Sequence, residues 1–271
     1  MKRMLRTAYE ILALAIGLGV LGIVCLGWAP MAFVLRGVQS KRSGGRLGRF
    51  VNMTVLRFYL WTLSATRAMR FDISALDALR GQEPMIIAPN HPRLLDAFLV
   101  ISRLPNVVCI MKQELMDNVF LRHGARLARY IGNHSLMQMI RDSVQTLHEG
   151  NHLLLFPEGT RTVREPVNDF TAAVGLVSSR GKVPVQTVFI ECDSPYLRKG
   201  WPLFKRPTLP ITFRVRLGQR FDPPQDVRAF TRELQQYFND ELTAVAAVPA
   251  TRRATSSAPQ PVSANLANPT T

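Results

Sequence analysis

The order of apolar and polar residues separates three kinds of segment along the chain. Residues 11–35 are uncharged and apolar, and a stretch of this length can span a bilayer as a helix. Residues 50–69 are apolar with Arg57 and Arg67 interspersed, a pattern typical of an amphipathic helix at a membrane interface. From residue 248 the composition falls to Pro, Ala, Ser, Thr and Asn, which predicts a disordered tail.

Between these segments the pattern alternates between short strands and helices, which is typical of an α/β domain. The predicted strands cover residues 85–88, 107–111, 152–156, 183–190 and 211–217. The predicted helices cover residues 97–104, 119–130, 136–148 and 227–242. We therefore predict N-terminal transmembrane or interfacial helices over residues 1–70, an α/β domain over 71–247 and a disordered tail over 248–271.

The apolar stretch near the start has basic residues on both sides, including Arg3, Arg6 and Arg36. A cleaved signal peptide is not expected, because the apolar region is too long and lacks a small-x-small cleavage site. With both flanks basic, the charge rule favours a cytoplasmic C-terminal side by a small margin only. A helix that spans the bilayer and a hairpin formed with the next helix both fit the pattern.

The charge balance predicts an anionic partner. Lys and Arg number 34 against 19 Asp and Glu, a formal net charge of +15; nucleic acid, anionic lipid or an acidic carrier protein would suit this charge. Residues 198–206 mix cations with Trp201 and Phe204, which favours an interfacial anchor against anionic lipid. No metal site is predicted, because neither the cysteines nor the remaining histidines have ligand spacing.

His91 and Asp96 are the candidate catalytic pair. His91 follows the strand predicted at residues 85–88 and precedes Pro92, which pushes it into an extended conformation outside the next helix. Asp96 falls in the first turn of that helix. There its carboxylate can accept a hydrogen bond from Nδ1–H of His91 and leave Nε2 free to take a proton.

A second motif, Phe156-Pro157-Glu158-Gly159-Thr160-Arg161, ends the strand predicted at residues 152–156. Pro157 stops strand pairing, and Gly159 permits a conformation that other residues resist. Such a turn can direct backbone N–H groups at an oxyanion, and the planar guanidinium of Arg161 suits a phosphate. Glu158 can bind either Arg161 or an acceptor hydroxyl. Taken alone, the motif is also typical of a strand-to-loop turn with a solvated Glu–Arg pair.

In this order, the two motifs resemble those of the 1-acylglycerol-3-phosphate O-acyltransferase family of membrane glycerolipid acyltransferases. The resemblance covers most of residues 71–242 and implies a mixed central sheet flanked by helices. It implies that His91 and Asp96 are catalytic. The substrate-binding residues that it implies are Lys112, Glu158, Gly159, Thr160 and Arg161.

Two segments depart from the family pattern. The family's second block usually ends in an arginine, but residues 130–135 contain none. A basic, glycine-containing segment commonly follows the Glu-Gly-Thr-Arg turn, but residues 170–174 have neither feature. Both departures concern recognition of the acceptor phosphate rather than catalysis.

The resemblance implies transfer of an acyl chain from acyl carrier protein or coenzyme A to a lysophosphatidate-like glycerolipid in phospholipid synthesis. Apart from this thioester co-substrate, no cofactor is expected. Another lysophospholipid or a specialised membrane lipid is an alternative acceptor. A non-catalytic basic protein bound to the membrane is the alternative from a different class. We expect the inner membrane as location, with the catalytic domain in the cytoplasm, an anionic membrane surface as partner and no nucleic acid.

Overall fold

The computed structural model of the protein describes residues 1–38, 41–202 and 204–247. The chain begins with two long helices, α1 (Lys2–Val38) and α2 (Lys41–Ala65), and Pro30 lies inside α1. In the described residues, the segment Lys2–Leu35 is the one helical stretch long and apolar enough to cross a membrane by length and composition. The tail predicted over residues 248–271 lies outside the described residues.

The described residues that follow form a mixed sheet of seven strands. The strands are β1 (Met69–Asp72), β2 (Ile86–Pro89), β3 (Val107–Met111), β4 (Ile131–Gly132), β5 (His152–Leu154), β6 (Val185–Cys192) and β7 (Ile211–Phe221). Their spatial order is β1-β7-β6-β2-β5-β3-β4. The strands from β6 to β4 in this order are parallel, β7 is antiparallel to β6, and β1 is parallel to β7. The mixed sheet expected from the family resemblance is confirmed.

Helices cover both faces of the sheet. Those after β1 are a 3₁₀ helix (Ser74–Leu79), α3 (Asp96–Ile101), α4 (Gln113–Asp117), α5 (Arg122–Leu127), α6 (Leu136–His148), α7 (Ala173–Gly181) and α8 (Val227–Ala247). Successive side chains of a strand point to opposite faces, and β2 shows this clearly. Ile87 packs in the core that includes residues of α2 and α3, whereas Ile86 packs in the core formed with α6, α7 and α8.

Local patterns predict some elements well and miss others. β3 and α6 have the predicted bounds. The helix predicted over residues 119–130 is shorter: Asn118, which follows α4, is extended (ψ 128°), and α5 covers only Arg122–Leu127. The two-residue strand β4 is too short for a periodic signal. β1 begins at Met69, so the sheet includes the last residues of the segment predicted as N-terminal helices.

The amino-terminal end of α1 contacts the α/β domain through a buried carboxylate. Glu10 is 5% exposed and forms ion pairs with Arg6 (3.2 Å) and with Arg206 (3.3 Å), which lies in the segment before β7. Arg6 also donates from Nη2 to the carbonyl of Leu209 at 3.2 Å. These contacts hold the start of α1 against the segment that leads into β7.

The carboxyl-terminal end of α1 contacts the same domain at α5. Trp28 and Ala32 form an apolar cluster with Leu127 of α5. Gly124 allows this close approach, because a Cβ at this position would lie only 2.5 Å from Nε1 of Trp28. Trp28 Nε1 also donates to Asn52 Oδ1 of α2 at 2.9 Å. Both ends of α1 therefore rest on one α/β domain.

A buried arginine attaches α2 to the sheet. Arg49 is 5% exposed and donates to Asn151 Oδ1 (2.9 Å), the Ala128 carbonyl (3.3 Å) and Asn106 Oδ1 (3.5 Å). These acceptors lie just before β5, β4 and β3. Because a buried guanidinium is costly without such partners, α2 is an integral part of the fold.

Candidate active site

The predicted site residues meet at one edge of the sheet. His91 follows β2, Lys112 follows β3 and Glu158 follows β5 closely. These strands are parallel neighbours in the order β2-β5-β3, so their carboxyl ends lie side by side. Ligands of open α/β sheets bind outside the carboxyl ends of the strands. The sheet thus brings together residues from three separate stretches of the sequence.

His91 and Asp96 form the contact predicted from the sequence. Nδ1 of His91 lies 2.9 Å from Oδ2 of Asp96, which also accepts the backbone N–H of Arg93 at 2.6 Å. Asp96 begins α3 and is fully buried. Because an ionised carboxylate only accepts hydrogen bonds, Nδ1 carries the proton. Nε2 is then the nitrogen that can accept a proton from another molecule.

The environment of Asp96 suits a group that stabilises a positive imidazole. Burial raises the pKa of the Asp96 carboxyl, while the hydrogen bond from His91 and the backbone N–H of Arg93 act in the opposite direction. Oδ1 has no hydrogen-bond partner among the described residues. A buried carboxylate interacts strongly with a neighbouring cation. It can therefore stabilise the imidazolium that forms if Nε2 takes a proton from a substrate.

Phe156 fixes the plane of the His91 ring. The two rings are stacked with their centroids 4.0 Å apart and their planes 21° from parallel. Phe156 is buried and belongs to the second motif. The direction of Nε2 therefore depends on both motifs, through the Asp96 hydrogen bond on one side and ring packing on the other.

Glu158 is bonded to the backbone of His91. Its Oε1 accepts the His91 N–H (2.9 Å) and the Thr162 hydroxyl (2.8 Å), and its Oε2 accepts the Asn168 N–H (2.8 Å). The side chain is buried, and burial raises the pKa of its carboxyl against the effect of these hydrogen bonds. Among the described residues no ion pair joins Glu158 to Arg161, which was one of the two roles considered for Glu158 from the sequence. Glu158 instead holds the loop that carries His91.

The turn at Gly159 has the predicted unusual backbone. The Gly159 N–H donates to the Phe156 carbonyl at 3.0 Å, and Gly159 has φ +65°. An added Cβ would meet only Thr171 Cγ2 at 3.6 Å, so conformation rather than space requires the glycine. Within residues 1–38, 41–202 and 204–247, the N–H groups of Thr160 and Arg161 donate no hydrogen bond. They are therefore available to an oxyanion.

The two predicted cations differ in their surroundings. Arg161 is partly buried and donates from Nη1 to the carbonyls of Leu197 (3.2 Å) and Arg198 (3.3 Å). Its Nε and Nη2 make no hydrogen bond to the described part of the chain and remain available to an anion. Lys112 is exposed at the start of α4, and no described residue forms an ion pair with it.

Two residues beside His91 support the loop and were missed by the sequence analysis. The Asn90 side chain donates to the Ile190 carbonyl (3.0 Å) and accepts the Ile190 N–H (2.7 Å), which extends the pairing of β2 with β6. Arg93 is buried and donates from Nε to the Ser194 carbonyl at 2.8 Å. Both lie within the first motif, but their partners beyond β2 could not be read from local sequence.

No activated cysteine accompanies the histidine. Burial raises the pKa of Cys109 to about 12 and that of Cys192 to about 11, so both are thiols at neutral pH and poor nucleophiles. The described residues contain no group of three or more His, Cys, Asp or Glu that could hold a metal ion. The chemistry of this edge of the sheet thus depends on His91 and on hydrogen-bond donors.

Comparison with known proteins indicates the class of enzyme. The acyltransferase family model matches residues 70–191, which include both motifs. A 1-acyl-sn-glycerol-3-phosphate acyltransferase of Pseudomonas aeruginosa is 21% identical over 197 residues, covering 70% of this chain and 73% of that protein. A lyso-ornithine lipid O-acyltransferase of the same organism is 25% identical over 199 residues, covering 69% of this chain and 68% of that protein.

A solved structure shares the fold. It is the 1-acyl-sn-glycerophosphate (LPA) acyltransferase PlsC from Thermotoga maritima, with a TM-score of 0.69 over 90% of this chain and 99% of that one, at 15% identity. The chain therefore contains an acyltransferase domain over residues 70–191. It is therefore an acyltransferase, and the alternative of a non-catalytic binding protein is not retained.

Proposed function

We propose that this acyltransferase transfers an acyl chain from a thioester to the hydroxyl of a lysophosphatidate-like lipid. The observation that carries the proposal is the orientation of His91, with Nδ1 bonded to Asp96 and Nε2 available. The similarity to two lysolipid acyltransferases supports a lipid acceptor. Acyl carrier protein or coenzyme A is the donor, and the net charge of +15 suits an acidic carrier.

Each step of the reaction is assigned to a group at the site. Nε2 of His91 takes the proton of the acceptor hydroxyl, and the alkoxide oxygen attacks the thioester carbonyl carbon. The N–H groups of Thr160 and Arg161 stabilise the resulting oxyanion. The C–S bond then breaks, the ester forms, and the leaving thiolate receives the proton from His91 directly or through water. The acyl group passes to the acceptor without an acyl-enzyme intermediate.

Two kinds of acceptor head group fit the site. A phosphomonoester favours several convergent cations, and this site supplies Arg161 and Lys112. The segment after β4, Asn133-His134-Ser135, has no arginine where the family usually has one. A lysophospholipid or a lyso-ornithine lipid, whose head group carries less negative charge, is therefore the alternative acceptor. We propose that discrimination between these acceptors is weak.

A competition assay in mixed micelles tests both the reaction and the acceptor. Purified protein receives labelled acyl thioester with equimolar lysophosphatidate and lyso-ornithine lipid, and mass spectrometry identifies the products. We expect both acylated products, with specificity constants that differ less than about tenfold, or about 1.4 kcal/mol. Absence of any ester would contradict the proposed reaction, and a strong preference for lysophosphatidate would contradict the weak discrimination.

A matched pair of variants tests the assignment of Arg161. Arg161→Ala removes the guanidinium that has free donors and should lower activity on every phosphate-bearing acceptor. Arg164→Ala is the control, because Arg164 is exposed and, within the described residues, forms an ion pair only with the exposed Asp169. Equal effects of the two substitutions would show that Arg161 has no particular contact with the acceptor.

We also propose that α1 lies along one leaflet and does not cross the bilayer. Its two ends contact the same α/β domain, through Glu10 and Arg206 at one end and Trp28 and Leu127 at the other. A helix that crossed the membrane would place its ends at opposite surfaces. Large apolar side chains remain exposed along α1 and α2: Leu5, Leu12, Ile23, Leu26, Phe33, Val34, Phe58 and Trp61. These provide the surface that enters the lipid.

Labelling of cysteines in membrane vesicles tests this arrangement. In a Cys25→Ser background, Lys2→Cys and Val38→Cys place thiols at the two exposed ends of α1. A membrane-impermeant maleimide should label both positions from the same face of the membrane, the face on which the catalytic domain lies. Labelling from opposite faces would show that α1 crosses the membrane.

A further inference from the structure

Leu197, in the segment between β6 and β7, connects the two motifs although it belongs to neither. Its carbonyl accepts the backbone N–H of Leu94 at 3.1 Å and Nη1 of Arg161 at 3.2 Å. Leu94 lies between His91 and Asp96, and Arg161 ends the second motif. One carbonyl group therefore bonds to both loops that carry the proposed chemistry.

The backbone at Leu197 is unusual for this residue type. Leu197 has φ +62°, and the Arg198 N–H donates to the Pro195 carbonyl at 3.2 Å, which closes a β-turn with Leu197 in third position. A positive φ at this position normally calls for glycine or asparagine. A bulky residue is disfavoured there because its Cβ crowds the backbone. Local preference thus opposes the observed conformation, and tertiary contacts must maintain it.

The side chain shows why a leucine is used. Leu197 is buried (8% exposed) and lines a small apolar cavity together with Ala13 and Leu14 of α1, Tyr59 of α2 and Leu95. The side chain is thus held by the packing of α1 and α2, while the carbonyl is bonded to the two motif loops. A glycine would adopt the same backbone conformation easily but would lose this packing.

We propose that Leu197 is a positioning residue for acyl transfer, whose carbonyl sets the place of Arg161 relative to the His91 loop. The proposal rests on the proposed function, in which Arg161 binds the acceptor head group. Arg161 uses Nη1 for the contact with Leu197 and presents Nε and Nη2 to the ligand. The Leu197 carbonyl bonds to the two loops and its side chain packs against α1 and α2, so its effect passes through the loops.

Two substitutions of similar volume separate positioning from simple core packing. Leu197→Met keeps an unbranched Cβ and tolerates the positive φ about as well as leucine. Leu197→Ile keeps the size and the apolar character but is branched at Cβ, which makes a positive φ much less favourable. Both variants fill the apolar cavity. They differ mainly in whether the backbone can hold its carbonyl in place.

Steady-state kinetics and thermal unfolding of the two variants give the main test. We expect Leu197→Met to stay close to wild type, and Leu197→Ile to lower kcat/KM for the lipid acceptor by about 10- to 100-fold, as for a small misplacement of reacting groups. The KM for the acyl thioester should change less, because the Leu197 carbonyl bonds to the side chain of Arg161, which in the proposed function binds the acceptor head group. If both variants lose activity equally and in proportion to their loss of thermal stability, Leu197 is a core residue only.

Amide hydrogen exchange measures the same contact without catalysis. Leu197→Ile should speed exchange at Leu94, whose N–H bonds to the Leu197 carbonyl. Exchange at Asn90, whose N–H donates to Val188 at 3.3 Å, should stay as in wild type. If Leu197→Ile speeds exchange at Leu94 but the wild-type protein has no transferase activity, the proposed function is contradicted and the contact made by Leu197 is not. Unchanged exchange at Leu94 together with unchanged kinetics overturns the proposal for Leu197.

Discussion

Replacing Glu158 by Gln tests whether this carboxylate holds the His91 loop or binds substrate. The carboxylate accepts hydrogen bonds from His91, Thr162 and Asn168. The amide of Gln has one acceptor oxygen, and its NH₂ group faces at least one of these donors. Loss of one such bond, or one buried donor left unpaired, costs about 1–3 kcal/mol. We expect the free energy of unfolding to fall by about this amount, so the protein still folds.

The catalytic effect of Glu158→Gln should appear in kcat. The His91 N–H loses or weakens its link to the second motif, so the imidazole shifts relative to the acceptor hydroxyl. A small displacement of a catalytic group can lower the rate by about 100-fold. The KM for the acceptor should change little, because in this arrangement Glu158 does not touch the lipid.

The assay combines urea unfolding with thiol release from the acyl thioester in mixed micelles. Glu83→Gln is the control, since Glu83 is exposed and precedes β2, at the opposite end of that strand from His91. A Glu158→Gln protein with wild-type stability and a strongly raised KM for the acceptor would refute the structural role. It would instead assign Glu158 to acceptor binding.

Three further substitutions test other parts of the structure. Burial raises the pKa of Asp96 in the folded state above its value in the unfolded state. The folded state therefore loses stability as the pH rises from the unfolded-state pKa through the folded-state pKa. Asp96→Asn lacks this titration, and denaturant melts should show its stability relative to wild type improving as the pH rises above about 4. Gly159→Ala and Gly150→Ala both place alanine at a positive φ, and thermal melts should show that each lowers the free energy of unfolding by about 1–2 kcal/mol. Only Gly159→Ala should also lower the activity per folded molecule. Arg49→Met leaves buried acceptors unpaired and should lower the free energy of unfolding in urea by about 2–3 kcal/mol. If substitution of an exposed arginine of α2 lowers it by a similar amount, the role of Arg49 is contradicted.

Local sequence predicted the parts of the site that depend on neighbouring residues. The apolar run of β2 gave way to Pro92 and then to a helix, so His91 had to lie in a loop with Asp96 in the following turn. The positive φ of Gly159 was likewise predicted, because Pro157 and Gly159 restrict a single turn. Such features are set within a few residues, and the structure has them.

Contacts between distant segments could not be predicted in this way. Glu158 and His91 are far apart in sequence, and only the pairing of β2 with β5 brings them together. The sequence also suggested a Glu158–Arg161 pair, because the two residues are close along the chain. Leu197 gave no signal at all, since leucine is an unfavourable residue for the conformation that the fold imposes.

The turnover of a His91→Ala protein tests the central claim most directly. His134→Ala is the control, because His134 is exposed and follows β4 at the same edge of the sheet. A positioned general base contributes about 100- to 10,000-fold. We predict that His91→Ala loses at least this much lipid ester formation from labelled acyl thioester while its unfolding temperature stays near that of wild type, and that His134→Ala stays active. Ester formation by folded His91→Ala at close to the wild-type rate would contradict the account.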